Sequence, residues 1–221
     1  MSAKSTMTLG LVLVAGFVSI SGCQSTYFSA WEKLGYAKRD ILVERVQDAK
    51  KDQEEAKQEF QTTLDQFKTV TGFAGGNLEA KYKKLNSDYL RCEAAAGDVK
   101  KRITAVETVG EAMFSEWKDE IKQYSSDELR RASQSKLRLT RDRYDQLIEA
   151  MKKAESKMHP VLRAFKDQVL FLKHNLNAQA IASLEGTKVG LEKDVGLLIQ
   201  EMEASIQEAN KFIEGMKDAP K

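Results

Sequence analysis

Residues 78–124 read LEAKYKKLNSDYLRCEAAAGDVKKRITAVETVGEAMFSEWKDEIKQY. Leu78, Tyr82, Leu85, Tyr89, Cys92, Ala96, Val99, Ile103, Val106, Gly110, Met113, Trp117, Glu120 and Tyr124 recur in alternating steps of four and three. Twelve of these fourteen positions are apolar or aromatic, so the repeat is not accidental. A strand would alternate at every second residue. A 3.5-residue repeat held this long belongs to helices packed along a supercoiled seam. The stretch predicts one long helix and an all-α fold.

The same steps run in both directions. Upstream, Leu42, Val46, Ala49, Gln53, Ala56, Phe60, Thr63, Phe67 and Val70 continue the pattern. It breaks at Thr71-Gly72-Phe73-Ala74-Gly75-Gly76, where glycines supply a turn, and Asn77 can cap the helix that follows. Downstream the break is Tyr124-Ser125-Ser126-Asp127-Glu128-Leu129. Ser125 and Glu128 have capping-box spacing, and Tyr124 and Leu129 have hydrophobic-staple spacing. A third seam follows through Leu137, Thr140, Tyr144, Leu147, Met151, Ala154, Met158, Val161, Phe165 and Leu172. Pro160 should kink this helix rather than end it, because the pattern persists beyond it.

The last break is His174-Asn175-Leu176-Asn177, with Asn177 as the cap and Leu176 and Ile181 at staple spacing. The fourth seam passes Leu184, Leu191, Val195, Leu198, Met202, Ala209, Phe212 and Met216. Gly186, Gly190 and Gly196 lie inside it, each costing about 1 kcal/mol against alanine. They mark either a close helix approach or a weak spot where the helix boundary falls elsewhere.

Four helices are thus predicted, at about 27–70, 77–124, 126–174 and 177–217. Similar lengths and short turns favour an elongated antiparallel four-helix bundle of coiled-coil type, a single domain over 29–217 with a tail at 218–221. The alternative is two long hairpins that pack incompletely. Long heptad seams can also close between chains, which leaves self-association open.

The N-terminus carries an address. Lys4 gives a basic start, Met7 to Ile20 an apolar run, and Ser21-Gly22 small residues directly before Cys23. Ile20-Ser21-Gly22-Cys23 looks like the lipobox of a bacterial lipoprotein, with residues 1–22 removed and Cys23 acylated. The apolar run is short for a spanning helix, which needs about 20 residues. An ordinary secretory signal without acylation is the nearer rival. Gln24 rather than Asp after the cysteine resembles Gram-negative signals for outer-membrane delivery, which places the chain in the inner leaflet facing the periplasm. Residues 23–28 would be the anchored segment.

Composition excludes several classes. The chain has 35 basic and 33 acidic side chains. Removing residues 1–22 takes away only Lys4 and leaves 34 against 33, a net charge of +1. Such balance argues against a nucleic-acid partner. A mean hydropathy of −0.48 suits long helices with wide solvated faces. Pro160 and Pro220 are the only prolines, which permits very long helices. Cys92 is the only thiol besides Cys23, so with Cys23 acylated no internal disulfide forms.

Nothing in the sequence points to catalysis. Cys92 sits on a seam and reads as a small core residue. The two histidines, His159 and His174, stand outside any nucleophile motif, and Glu155 with His159 misses the Glu-x-x-His spacing of four-helix di-iron proteins. No Cys-x-x-Cys-His haem motif or Gly-rich phosphate loop occurs. The expectation is a non-enzyme without cofactor or metal.

Surface chemistry gathers at the poles. In an up-down bundle anchored at Cys23, the start of the first helix shares its pole with the turn between the second and third. That pole collects Tyr27, Phe28, Trp31, Trp117 and Tyr124. It also collects Arg130, Arg131, Lys136, Arg138, Arg141 and Arg143, with Asp142 the single acid between Arg130 and Arg143. Aromatic and basic residues suit a membrane surface. The bland reading puts Trp117 and Tyr124 in the core and pairs the arginines with neighbouring acids. The far pole holds Phe73, His174, Asn175 and Asn177, either a partner-binding tip or two plain helix turns.

Three stretches, Tyr36-Ala37-Lys38-Arg39-Asp40-Ile41-Leu42-Val43, Leu78-Glu79-Ala80-Lys81-Tyr82 and residues 165–178 (FKDQVLFLKHNLNA), resemble a family of bacterial helical proteins, domain of unknown function 2959. The likeness covers nearly all of the chain after Cys23. It implies a helical, lipoprotein-like protein and transfers no functional residue. The expected role is a membrane-anchored helical scaffold or adaptor. A self-assembling membrane-stress or membrane-shaping protein is the second reading, and a bundle that carries a small ligand or metal the third.

Overall fold

The computed structural model describes residues 37–72 and 75–217, with the side chain of Ala178 left aside. The expected signal peptide, Cys23, Tyr27, Phe28, Trp31, Phe73 and the 218–221 tail lie outside the described residues. Four helices follow in order: α1 (Lys38–Thr71), α2 (Leu78–Ile121), α3 (Asp127–His174) and α4 (Ala178–Lys217). There is no strand among the described residues, and the fold is the all-α bundle that the seams predict.

Local chemistry sets the ends. Asn77 accepts from the Ala80 N–H at 2.9 Å and starts α2, and Asn177 does the same for α4 through Ala180 N–H at 2.9 Å. Each satisfies an amide that the first helical turn leaves unpaired. Gly75 and Gly76 have φ of 141° and 110°, a backbone closed to ordinary side chains, and so turn the chain between α1 and α2. Asn175 closes α3 by donating from Nδ2 to the Phe171 carbonyl at 2.9 Å.

Three boundaries differ from expectation. Helix α1 starts at Lys38 rather than near 27, with Ala37 extended at φ −73° and ψ 146°. The heptad pattern begins only at Leu42, and Asp40 supplies the first-turn carboxylate that an N-terminus favours. Helix α2 ends at Ile121 rather than Tyr124, because Ile121 is buried while Tyr124 is 39% exposed. The seam passes from Met113 and Phe114 to Ile121 and leaves the charged Glu120 outside. The cap of α3 is Ser126, not Ser125: its hydroxyl accepts from Leu129 N–H at 3.3 Å. Leu129 is 57% exposed, so the expected staple with Tyr124 does not form.

The helices make a ring in which α1 packs on α2, α2 on α3, α3 on α4, and α4 on α1. Cross-helix pairs show every neighbour antiparallel. Arg102 reaches Asp48 and Asp52 while Arg91 reaches Glu59 between α1 and α2. Lys57–Glu203 and Lys68–Glu192 do the same between α1 and α4. Thus the seams close within one chain.

All nine seam positions of α1 are buried, from Leu42 to Val70. So are nine consecutive positions of α2, from Leu85 to Met113. Phe60, Phe67, Phe114, Phe165, Met151 and Met158 are among the largest wholly enclosed side chains. Helix α3 continues through Pro160, whose ring faces solvent, so the backbone bond it forfeits falls on the wet side.

The core is not wholly apolar. Gln53 and Ser205 are fully enclosed, and the Ser205 hydroxyl donates to Gln53 Oε1 at 3.0 Å. Gln53 Nε2 finds no acceptor. Buried Asp88 is held by Arg91 at 2.6 Å and Lys84 at 3.2 Å.

Gly110 admits a close approach. A Cβ there would stand 2.5 Å from the Tyr144 ring, which packs edge-on against Phe114 at 5.2 Å. Gly186, Gly190 and Gly196 do not: the space around each is open. Neither expectation for them holds, because no helix packs close at these positions and α4 runs unbroken from Ala178 to Lys217.

Candidate functional site: the basic pole

The pole that holds the start of α1 and the end of α4 is built by the α2–α3 hairpin. Lys38 Nζ bonds Glu116 at 2.8 Å, and the Arg143 guanidinium lies against Gly215, where an added Cβ would meet Nη1 at 2.5 Å. These contacts level Lys38 with Glu116 and Gly215 with Arg143. The hairpin therefore continues beyond Lys38 and Lys217, through the last residues of α2 after Glu116 and the first turns of α3 before Arg143. Trp117 is half-buried here, and its Nε1–H donates to Ser133 Oγ at 2.9 Å, tying α2 to α3.

The six cations of α3 divide into two groups. Arg141 is structural. It bonds Glu111 at 3.0 Å and Asp145 at 2.9 Å, and its guanidinium lies 5.0 Å and 5.3 Å from the Phe114 and Tyr144 ring centres. Burial works against its charge, but the bonds to Glu111 and Asp145 outweigh this and raise its pKa. Arg130 is engaged locally, with Asp127 at 2.7 Å and the Tyr124 carbonyl at 2.8 Å. Arg131, Lys136, Arg138 and Arg143 make no ion pair with any carboxylate among the described residues. Helical spacing puts Arg131 and Arg138 on one flank and Lys136 and Arg143 on the other.

The sequence named all six and could not divide them. The signal for Arg141 was present: it lies four residues before Asp145 and three before the buried Tyr144. Its pairing with Glu111 depends on a contact between helices. Trp31 lies outside the described residues. Tyr124 is exposed, while Trp117 sits at the core's edge.

At the far pole Asn175 and Asn177 spend their side chains on closing α3 and opening α4. His174 is exposed in the last turn of α3. The other histidine, His159, faces Glu155 at 3.8 Å. Among the described residues no group of three His, Cys, Asp or Glu side chains could hold a metal. Cys92 is enclosed, and burial pushes its thiol up to about 12. No described helix is long and apolar enough to cross a membrane.

No curated protein and no solved structure matches this chain. A family model described as protein of unknown function, DUF2959, matches residues 27–216. That span takes in α1, α2, α3 and all but the last residue of α4, and the chain belongs to this family.

Proposed function

We propose that the chain is a non-enzymatic envelope lipoprotein: a helical strut, acylated at Cys23, whose basic pole rests on lipid headgroups and whose far pole projects into the periplasm. The observation that carries this reading is the set of four cations without a carboxylate partner among the described residues, Arg131, Lys136, Arg138 and Arg143. They stand at the pole where α1 begins, the end of the bundle closest in sequence to Cys23. Unpaired cations cost solvation when they approach other protein and gain about 1 kcal/mol each beside an anionic membrane. With 48 residues, α3 spans about 70 Å, the reach of the strut.

The test is sedimentation of a Cys23→Ser chain with vesicles containing phosphatidylglycerol. Arg131 and Arg138 are the residues to change, because Arg141 is already engaged by Glu111 and Asp145. Arg131→Gln with Arg138→Gln should lose about 2 kcal/mol, roughly a thirtyfold weaker partition. Raised salt should weaken the parent protein in the same direction. Equal partition of parent and variant would refute the reading.

A further inference from the structure

Between the hairpin and the ends of α1 and α4 lies a cleft of 470 Å³. Binding sites for small molecules span roughly 300–1,000 Å³. Met113, Trp117, Leu139 and Met216 give it an apolar floor, and Lys136 and Arg143 stand on its rim. Leu139 is 58% exposed, a large apolar side chain left open beside two cations. Two acids also line the cleft, but Glu116 is spent on Lys38, which leaves Glu120 against Lys136 and Arg143. An apolar floor with a basic rim is complementary to one kind of molecule, an amphiphile with a negative head.

We propose that this cleft binds a single anionic phospholipid, its acyl chain along Trp117, Leu139 and Met216 and its phosphate between Lys136 and Arg143. The proposal deepens the membrane reading and rests on it, but it uses the opposite flank of α3 from Arg131 and Arg138. The bound lipid would fix the orientation of the strut, where the flank charges only attract it.

Trp117 is a built-in reporter. Trp31 is the only other tryptophan, so Trp31→Phe leaves a single indole in the full chain. Dihexanoyl-phosphatidylglycerol, kept below its micelle threshold, is titrated while Trp117 emission is followed. The expected result is a saturable blue shift, with dihexanoyl-phosphatidylcholine at least about tenfold weaker and inorganic phosphate without effect. Lys136→Glu with Arg143→Glu should weaken the titration by at least about tenfold, with unchanged helical circular dichroism. If that variant loses helicity, Lys136→Glu alone is read instead.

Three results overturn the proposal: no saturable change, equal response to both lipids, or the same response to phosphate alone. Each leaves vesicle sedimentation free to succeed, so the loss of the cleft and the loss of the membrane reading are told apart.

Discussion

Gly110→Ala puts the packing of α2 on α3 to a test of sign. On an exposed helical surface, alanine for glycine stabilises by about 1 kcal/mol. At Gly110 the new methyl would stand 2.5 Å from Tyr144 Cε2 and Cζ and 2.6 Å from Oη. The ring cannot swing away. It is 2% exposed, with Phe114 edge-on at 5.2 Å and Phe212 at 6.3 Å. Relief requires an off-rotamer tyrosine or a wider gap between helices, and overpacking of this kind costs about 1–3 kcal/mol.

Set against the gain in helix propensity, the net is a loss of up to about 2 kcal/mol, or as much as about 8 °C in midpoint for a chain of this size. Thermal and urea unfolding followed by circular dichroism measure it. Tyr144→Leu in the same chain should recover part of the loss, so that the two changes together cost less than their sum. A Gly110→Ala protein more stable than its parent would refute the close approach and the register of α2 against α3.

Other substitutions read other parts of the bundle. Gly186→Ala, Gly190→Ala and Gly196→Ala meet open space, so each should raise stability by about 1 kcal/mol in urea unfolding, and the three should add. Ser205→Ala should cost about 1–3 kcal/mol by stranding the Gln53 carbonyl oxygen. Adding Gln53→Met should restore or exceed the parent stability, because the unpartnered Nε2 goes too. The Cys92 thiol ionises only at about 12, because burial disfavours the thiolate. At pH 8 it should therefore be inert to a disulfide reagent until urea unfolds the chain, with reaction and unfolding sharing one midpoint.

The fold was readable because the seams are strict. Every position named in α1 from Leu42 to Val70 is enclosed, Gln53 and Thr63 among them, since heptad register fixes burial whatever the side chain. Boundaries were less readable. Ser125 and Ser126 both offer a hydroxyl, and which of them caps depends on the path of the turn, not on residue type. The glycines divided in the same way. Gly110 and Gly196 look alike in a helical pattern, and only the Tyr144 ring across the interface separates them.

At the basic pole the sequence supplied the cluster but not its division, because charge partners such as Glu111 arrive from another helix. The cleft beside Leu139 was not readable at all. It arises where α1 and α4 begin and end beside a longer hairpin, a matter of relative length across four helices.

The proposed orientation on a membrane can be measured directly on vesicles with the chain acylated at Cys23, as the proposal requires. A fluorophore at Leu129→Cys or at Leu176→Cys reports its distance from acceptors on the headgroups, with buried Cys92 left in place. The two sites stand near opposite ends of α3, about 70 Å apart at 1.5 Å per residue. Strong energy transfer is expected from position 129 and little from position 176. Equal transfer from both, or the stronger signal from 176, would contradict it.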